Sequence, residues 1–454
     1  MFLYPRAIHG FMAQLSARKM SSELGPAMDG QTVTVAGWVQ DVRNLGGIAF
    51  VQLRDSAGIV QVTLLKKKLG PETFKEMAGV MRESVVSYTG ALKANKEAKA
   101  GVELMPESWT LISPAEAPLP LGVVDKVNVD LDTRLNTRFM DLRKDEVRAV
   151  FRIRSALLEG LRAHFASKGF VEVSTPKIVA AGAEGGATLF PITYFDKKAY
   201  LAQSPQLYKQ SLMSTGLDRI YEVAPAFRAE LSDTVRHLSE FTSMDVEMAF
   251  IDSSEDVMTF LEGLVPAGMG HVIDHCAKDL ELLGIKLEKP VVPFPRIPHK
   301  KCVEMLRAAG HPVPGNDDID TTGEKVLGEI VRRDLHHQFF FITDFPTELK
   351  RTTFYAMRKP DDPNITGYFD LEFDGEELVS GGQREHRLDV LLAQMAENNM
   401  DPAAFEFYLK AFRFGMPPHG GFGLGIERFV HMLLGLPNIR ECVLFPRDRL
   451  RLVP

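Results

Sequence analysis

The sequence lacks a membrane-length apolar segment and contains few cysteines. No apolar run reaches about 18 residues, so no membrane-spanning helix is expected. The three cysteines, Cys276, Cys302 and Cys442, are scattered and form no C-x-x-C pair. This spacing disfavours a disulfide scaffold and a zinc site and suits a reducing compartment. We therefore expect a cytoplasmic protein with no membrane partner.

An excess of positive charge is also absent. The formal net charge is −7, so any nucleic-acid contact must depend on local basic patches. A hydrophobic content of 45% is ordinary for a globular protein, and 454 residues allow roughly two to four domains. Residues 1–17 are interpreted as an N-terminal extension, with a targeting segment as the alternative.

The sequence is organised around the stretch Tyr221–Phe250. Its pattern predicts a strand at 221–227, a turn at 231–234 and a second strand at 241–250. A triphosphate needs cations, a purine needs a flat apolar face and its amine needs an acceptor. The stretch supplies all three with Arg228, Glu230, Arg236, His237, Glu240 and Phe241. A solvated hairpin edge with Arg–Glu pairs remains the alternative.

The N-terminal part predicts an OB-fold barrel. The strand-like runs are 31–40, 47–54, 58–65, 85–92 and 102–112, with a helical piece at 71–82. Five strands with a helix after the third are typical of this barrel, which binds single-stranded nucleic acid on aromatic side chains beside a basic groove. Phe50 and Gln61 lie on successive strands, and Arg43 adds positive charge. A core position for Phe50 remains open.

A proline-rich stretch separates this module from the rest of the chain. Pro114, Pro118 and Pro120 break both periodicities, and a basic connector follows. The apolar stripe of 146–168 predicts a helix ending at Gly169. The expected domains are 18–113, a linker at 114–144, and 145–454 with a helical insertion at about 253–344.

The stretch Tyr368–Gly382 predicts an acidic hairpin. Asp374-Gly375 between two strand-like runs is a strong two-residue turn signal. That turn would place residue 372 opposite 377 and residue 370 opposite 379. Asp370, Glu372 and Glu377 would then share one face and repel each other unless a cation is bound. Mg²⁺, held by one or two carboxylates plus substrate phosphates, fits this pattern, with a solvated acidic edge as the alternative.

Three shorter features complete the set of candidates. Gln206 and Lys209 are three residues apart, so they share a face of a helix where Lys209 can meet a carboxylate. Glu184, in a loop of small residues, can accept from an ammonium group. The run HGGFGLGIERFV places Arg428 after glycines that allow close approach to a nucleotide, but it lacks the dinucleotide spacing G-x-G-x-x-G.

Taken together, these motifs resemble the class II aminoacyl-tRNA synthetases. FRAE…RHLSEF resembles motif 2, GFVEVSTPKI resembles motif 1 and HGGFGLGIERFV resembles motif 3. GWVQDVRNLGGIAFVQLRDSAGIVQV resembles the anticodon-binding domain of the aspartyl, asparaginyl and lysyl members. FTSMDVEMAF, the lysine after QLY and the ending FPRDRLRLVP resemble the aspartyl branch of archaeal and eukaryotic type. The resemblance implies an α+β fold: an OB-fold barrel plus a catalytic antiparallel sheet flanked by helices.

The resemblance also implies which side chains bind each ligand. The aspartate-binding residues would be Glu184, Gln206, Leu207, Tyr208, Lys209, Arg228, Asp245, Ser380 and Arg384. The ATP-binding residues would be Arg228, Ala229, Glu230, Arg236, His237, Leu238, Phe241, Glu377, Gly425, Ile426, Glu427 and Arg428. Asp370, Glu377 and Ser380 would bind Mg²⁺, and Arg228 and Arg428 would act in catalysis. Gln40, Arg43, Phe50, Gln61 and Lys99 would contact the anticodon.

The implied activity is ATP-dependent ligation of L-aspartate to tRNA through an aspartyl-adenylate, in a homodimer formed through motif 1. A sister ligase for asparagine or lysine is disfavoured by Lys209 and Asp245. A tRNA-independent, asparagine-forming amide ligase is disfavoured by the intact OB module. A nucleic-acid-binding protein with an inactive catalytic domain is disfavoured by the full set of motif residues.

The choice of tRNA is expected to depend on the OB module. In relatives, a tryptophan after GWV with a lysine in the last strand-connecting loop accompanies selectivity for the aspartate tRNA. A histidine with a proline accompanies charging of the asparagine tRNA as well. Here Lys99 fits the selective type and Gln40 fits neither. The sequence therefore favours the selective form.

Overall fold

The computed structural model describes residues 15–124, 128–180, 182, 189–229, 234–315 and 317–454. It divides into two compact units, Met1–Asp141 and Leu142–Pro454. Among the described residues, no helix has the length and apolar character needed to cross a membrane. Two predicted site residues, Glu184 and Glu230, and most of the N-terminal extension lie outside the described residues.

The first unit contains a closed five-stranded barrel with the strand order β1-β2-β3-β5-β4. Its strands are β1 Thr32–Asn44, β2 Ile48–Arg54, β3 Ile59–Leu65, β4 Val85–Ala94 and β5 Val102–Ser113. The helices α1 Lys66–Leu69 and α2 Pro71–Ala78 follow β3, and α3 Leu131–Asn136 and α4 Arg138–Asp141 follow β5. Alternating residues such as Val51, Val62 and Val86 fill the interior and are fully buried. The OB-fold prediction is confirmed.

The second unit is built on an eight-stranded sheet with the order β12-β13-β14-β15-β16-β11-β10-β6. Its strands are β6 Val171–Glu172, β10 Arg219–Phe227, β11 Glu240–Ala249, β12 Arg296–Pro298, β13 Phe339–Thr343, β14 Tyr368–Phe373, β15 Glu377–Arg384 and β16 His419–Gly425. Strands β7 Ile178–Val179, β8 Pro191–Tyr194 and β9 Lys197–Leu201 form a small separate sheet. Neighbouring strands along the spatial order β13-β14-β15-β16-β11-β10 are all antiparallel, as the resemblance described above implies.

Helices cover this sheet. They are α5 Asp145–Ser167, α6 Gln206–Leu212, α7 Ser254–His275, α8 Ala277–Leu283, α9 His299–Ala308, α10 Thr321–Leu335, α11 Leu388–Glu397, α12 Glu406–Arg413 and α13 Ile426–Leu434. The predicted stripe of α5 is buried against α7 and the sheet in the main core. Gly160 allows the close approach of α5 to α7, because a Cβ there would lie 2.5 Å from His271 Cβ.

The stretch from 253 to 344 contains α7 to α10, but it is not only helical. Strands β12 and β13 join the edge of the main sheet, and α7 contributes to the main core. Helices α9 and α10 pack on β13 around Cys302, Leu327 and Phe340. Whether this stretch is a distinct insertion stays a prediction.

A buried ion pair offers a test of the barrel. Arg54 Nη2 lies 2.7 Å from Glu83 Oε2, and both side chains are at most 4% exposed. Replacing Glu83 by alanine leaves the guanidinium buried without its carboxylate, so we expect unfolding to become easier by about 3–5 kcal/mol. The exposed pair Arg82–Asp41 supplies the control, and Asp41→Ala should cost about 1 kcal/mol or less. Denaturant unfolding measures both, and equal losses would contradict the prediction.

Candidate functional site

Strands β10 and β11 form the hairpin around which the site is built. Ala226 pairs with Phe241 and Glu222 pairs with Asp245, so the strand bounds lie within two residues of the predicted ones. Strand β16 pairs with β11 on one side and β15 on the other. This order places residues from three distant motifs on neighbouring strands.

A cleft of about 400 Å³ opens over these strands. Its lining brings together predicted residues from all of the catalytic stretches within the described range. They are Gln206, Arg228, Arg236, His237, Leu238, Phe241, Asp245, Glu377, Ser380, Gly425, Glu427 and Arg428. The lining also includes Ser243, Lys350, Tyr355 and Tyr368, which the sequence analysis did not assign.

One end of the cleft combines cations with an aromatic ring. The guanidinium of Arg228 lies 5.3 Å from the centre of the Phe241 ring, within the range of a cation–π contact. Arg428, in the first turn of α13, donates from Nη1 to the Glu377 carbonyl at 2.8 Å and to Glu377 Oε1 at 3.2 Å. Arg236 lies 3.3 Å from Glu376. This end suits a nucleotide with a negatively charged phosphate chain.

Two residues expected at the nucleotide, Ile426 and Glu427, are engaged within the chain itself. Ile426 is fully buried in the main core. Glu427 is 3% exposed and binds the chain itself, because Oε2 accepts from the Thr242 amide and Oε1 accepts from Arg154, each at 2.8 Å. Glu427 therefore fastens α13 to β11 and α5. Ala229 directly follows Arg228 in the chain.

Lys209 lies behind the lining residue Asp245. Helix α6 buries both Gln206 and Lys209, as the three-residue spacing predicts. Lys209 Nζ lies 3.1 Å from Asp245 Oδ1, 3.4 Å from Glu247 Oε2 and 3.0 Å from the Phe422 carbonyl oxygen. Gln206 lines the cleft, and its buried Nε2 finds no acceptor among the described residues.

The neighbours of Lys209 on α6 lie elsewhere. Leu207 packs in a hydrophobic cluster with Phe354 and Tyr408, and Tyr208 contacts Phe407 with ring centres 5.6 Å apart. Their side chains support α6 from behind. The predicted aspartate-binding roles of Leu207 and Tyr208 therefore remain predictions.

Arg384 is 1% exposed. Its Nε donates to Glu247 Oε1 at 3.0 Å, and its guanidinium carbon lies 5.5 Å from the Tyr355 ring centre and 5.7 Å from the Tyr368 ring centre. Its buried Nη1 has no hydrogen-bond partner in the described part of the chain. Both tyrosines line the cleft, so Arg384 retains a donor beside it.

Glu247 joins the two cations. Burial would raise the pKa of Glu247, but Arg384 and Lys209 lower it below its ordinary value. The sequence analysis expected Lys209 and Arg384 to bind aspartate, and this role stays a prediction. In the structure each of the two cations already pairs with a protein carboxylate. A ligand can still accept a hydrogen bond from Nη1 of Arg384, which has no partner among the described residues.

The acidic hairpin forms with the predicted turn. Asp374 and Gly375 have φ values of 53° and 76°, which this two-residue turn requires. Glu372 pairs with Glu377, as expected, but a bulge beyond them places Asp370 opposite Ser380 instead of residue 379. Leu378 is the extra residue. The predicted register of Asp370 is therefore wrong by one residue.

The bulge brings Ser380 onto the face that carries Asp370. Ser380 Oγ donates to Asp370 Oδ1 at 2.6 Å. The second carboxylate oxygen, Oδ2, accepts from Lys350 Nζ at 2.7 Å. The sequence analysis missed Lys350, which lies in an irregular connection where no periodicity indicates which side chains face inward.

The candidate ligands of a divalent cation on the hairpin therefore differ in how well they are placed to bind it. Glu377 and Ser380 line the cleft, whereas the Asp370 side chain is 8% exposed and has both oxygens engaged. Within the described residues, no group of three or more His, Cys, Asp or Glu side chains can hold a metal ion. Mg²⁺ needs only one or two carboxylates when phosphates supply the rest, so Glu377 with Ser380 fits it.

In the barrel, three of the predicted anticodon residues, Arg43, Phe50 and Gln61, lie on one face of strands β1 to β3. Arg43 pairs with Phe50, and Phe50 pairs with Thr63, while Gln61 pairs with Gln52 in the neighbouring row. Phe50 is half-buried and Arg43 is exposed. Gln61 Nε2 donates to Glu103 at 3.2 Å.

The two residues expected to influence tRNA choice have different settings. Gln40 lies at a bulge of β1 and accepts from Arg54 Nη1 at 3.5 Å. Lys99 is exposed in the turn between β4 and β5. Of these two residues, only Lys99 lies outside a strand.

Two family models match this chain. The model described as tRNA synthetases class II (D, K and N) matches residues 130–449. The model described as OB-fold nucleic acid binding domain matches residues 33–112. Together they span both structural units.

Curated relatives match over nearly the whole length. A protein of Thermococcus kodakarensis named aspartate–tRNA(Asp) ligase is 51% identical over 96% of this chain and 99% of its own. A protein of Methanothermobacter thermautotrophicus named aspartate–tRNA(Asp/Asn) ligase is 46% identical over 98% of this chain and 100% of its own.

Solved structures agree in fold. The asparaginyl-tRNA synthetase of Pyrococcus horikoshii, complexed with asparaginyl-adenylate, superposes with a TM-score of 0.89 at 34% identity, covering 96% of this chain and 99% of that chain. The aspartyl-tRNA synthetase of Entamoeba histolytica gives 0.86 at 34% identity, covering 96% and 93%.

Proposed function

Because this chain belongs to the class II aminoacyl-tRNA synthetases of the aspartyl, lysyl and asparaginyl group, we propose that it is an aspartate–tRNA ligase. The reaction joins L-aspartate to tRNA through an aspartyl-adenylate and releases AMP and pyrophosphate. The observation that carries the proposal is a cleft lined by Phe241 with the cations Arg228, Arg236 and Arg428, and backed by buried Arg384 behind two of its lining tyrosines.

The first step needs no protein nucleophile. The α-carboxylate of aspartate attacks the α-phosphorus of ATP, and pyrophosphate leaves. Arg228 would hold the α-phosphate and the attacking carboxylate together, which is supported by its place in the lining of the cleft beside Phe241. Catalysis then consists of positioning and of stabilising the charge that develops at phosphorus.

The nucleotide would occupy the Phe241 end. Adenine would stack on Phe241, with Arg428 on its other face and Glu230 near its amine. Arg236 and His237 would hold the outer phosphates. Glu377 with Ser380 would hold Mg²⁺, which neutralises charge on the phosphates when bound.

Aspartate would occupy the Arg384 end. Lys209 and Arg384 are offset by Asp245 and Glu247, so the wall of the pocket is close to neutral before the substrate arrives. The Nη1 donor of Arg384, which has no acceptor among the described residues, matches one oxygen of a side-chain carboxylate. Glu184 and Gln206 would bind the backbone groups of the substrate.

The tRNA would be held at the barrel by Phe50, Gln61, Arg43, Gln40 and Lys99. The adenylate is then attacked by a ribose hydroxyl at the 3′ end of the tRNA. We propose that the active form is a homodimer through motif 1. The apolar stripe of α5 is buried in the core of its own chain, so it does not support the dimer. The dimer is supported instead by β6, an edge strand whose Val171 is 45% exposed. A cytoplasmic location fits three buried free cysteines.

The function is tested by ATP–pyrophosphate exchange with aspartate, asparagine and lysine, with and without tRNA. We expect exchange with aspartate only, and we expect Arg228→Ala to lower it about 100-fold or more because a transition-state cation is lost. Arg219→Ala, on the same strand but exposed, is the control and should retain exchange. Near-normal exchange in Arg228→Ala would overturn its role, and exchange with asparagine alone would favour the sister ligase.

The aspartate pocket is tested with Lys209→Leu. This change removes a buried ammonium from between Asp245 and Glu247, so KM for aspartate should rise far more than KM for ATP. Lys177→Leu is the matched control, because Lys177 pairs with the buried Glu222 at 2.8 Å and does not line the cleft. Unchanged aspartate affinity in Lys209→Leu would show that the pocket lies elsewhere.

The choice of tRNA is tested by aspartylation of transcripts of the aspartate and asparagine tRNAs. The exposed ammonium of Lys99 can donate to a base edge or a phosphate, whereas proline offers no donor. We expect a clear preference for the aspartate tRNA and expect Lys99→Pro to reduce it. If the wild-type protein aspartylates both transcripts with similar efficiency, the selective form is contradicted. Lys96→Pro, in the same turn as Lys99, serves as the control.

A further inference from the structure

The first unit carries a run of three lysines that has no role in the function described so far. The short helix α1 consists of these three lysines and one leucine, Lys66–Leu69. All three lysines are exposed, and we call Lys66, Lys67 and Lys68 the α1 lysines. The whole chain has a formal net charge of −7, so this run is a local concentration of positive charge and not part of a generally basic surface.

The positive charge of the α1 lysines is not offset by carboxylates of the chain. Within the part of the chain that the structure describes, none of the three ammonium groups has a carboxylate oxygen within 4.0 Å. Other cations of the same unit do have such partners, in the pairs Lys19–Glu23, Arg54–Glu83 and Arg82–Asp41. An unpaired run of like charge attracts anions, and it attracts a polyanion more strongly than a single one.

The α1 lysines directly continue one of the strands that carry the predicted anticodon surface. Strand β3 ends at Leu65, one residue before them. The Lys66 amide donates to the Gly47 carbonyl oxygen at 3.1 Å, which ties the start of α1 to the turn between β1 and β2. In OB folds, strands 2 and 3 and the loop between strands 1 and 2 bind oligonucleotides. The α1 lysines therefore border the surface expected to bind RNA.

The spacing along β3 suits the backbone of a nucleic acid. Phe50, which is predicted to stack on an anticodon base, pairs with Thr63. Lys66 is three residues further along the chain, which corresponds to roughly 10 Å in an extended strand. Each lysine carries its charge on a flexible four-carbon stem, which extends its reach. Phosphates that follow a base stacked on Phe50 would thus come within reach of the α1 lysines.

We propose that the α1 lysines form a binding site for the sugar-phosphate backbone of the tRNA, beside the surface that would contact the anticodon bases. Successive residues of a helix point about 100° apart, so the three ammonium groups face different directions and can follow more than one phosphate. Lysine binds phosphate as a point charge, and contacts to phosphate carry no sequence information. The site therefore adds affinity for tRNA without contributing to the choice between the aspartate and asparagine tRNAs.

This inference deepens the proposed function and rests on it, since it takes tRNA as the partner of the barrel. It is tested by fluorescence anisotropy of an anticodon stem-loop RNA bound to the full chain, over a series of KCl concentrations. The variant is the glutamine triple, Lys66→Gln with Lys67→Gln and Lys68→Gln, because glutamine is a good helix former without charge. Each lost contact to a single-stranded phosphate lowers the slope of log K against log salt by about 0.7. We expect Kd to rise about tenfold or more at low salt and the slope to become shallower by about 2.

Two comparisons separate charge from structure and backbone from bases. The arginine triple at the same positions keeps the charge and should bind the stem-loop as the wild type does. A stem-loop with a different anticodon should lose affinity for the glutamine triple by the same factor as the cognate stem-loop.

The matched control removes three exposed lysines of the second unit, by Lys286→Gln, Lys300→Gln and Lys301→Gln. It changes the net charge of the chain equally and should leave binding of the stem-loop unchanged. Thermal unfolding shows whether each variant is folded. If the glutamine triple is unfolded, the three single substitutions replace it, and each should lower the salt slope by about 0.7.

An unchanged Kd and salt slope in the folded glutamine variants would overturn the inference. A loss confined to the cognate anticodon, a folded arginine triple that binds weakly, or a wild type that does not bind the stem-loop would overturn it as well. Failure of the proposed function has a different signature, because it appears as missing aspartate-dependent pyrophosphate exchange in the wild type. That exchange needs no stem-loop, so the two results are obtained independently.

Discussion

The cleft depends on a buried set of four charges: Lys209, Asp245, Glu247 and Arg384. These residues come from α6, β11 and β15, so the ion pairs among them tie a helix to two strands that are separated by β16. Removing one partner of such a buried pair costs about 3–5 kcal/mol, because it leaves an uncompensated charge away from water. His419 lies beside this set, and burial lowers its pKa to about 4, so it adds no charge at neutral pH. The part of the chain that carries these four residues is therefore close to neutral.

The antiparallel sheet then determines which motifs meet. Strand β16 lies between β11 and β15, and the three strands carry the glycine-rich motif, the motif with Phe241 and the acidic hairpin. Glycines of β16 are needed for this packing: a Cβ at Gly421 would lie 2.0 Å from the Val246 carbonyl oxygen. Arg428 reaches the cleft because α13 begins where β16 ends. Positioning by the sheet explains how residues about 200 positions apart, such as Arg228 and Arg428, line one cleft.

Much of the fold and the site could be predicted because the signals are local. Alternation of apolar residues predicted the barrel strands, Asp374-Gly375 predicted a turn, and the spacing of Gln206 and Lys209 predicted a shared helix face. The register of Asp370 was not predictable, since the extra residue Leu378 has no distinctive sequence signal and a single bulge changes which residue stands opposite. Lys350 was missed for a related reason: its partner is 20 residues away, and the connection between them has no period.

The sequence by itself determined the barrel, the strand-loop-strand core of the site and the identity of most side chains that line the cleft. These follow from periodicity, turn chemistry and motif residues, which act over a few positions along the chain. Only the tertiary structure decided how the charges are paired: Lys209 with Asp245, Arg384 with Glu247, and Lys350 with Asp370. Pairing depends on which groups lose water together in the folded chain, and desolvation of two distant residues is set by packing and not by their spacing in sequence.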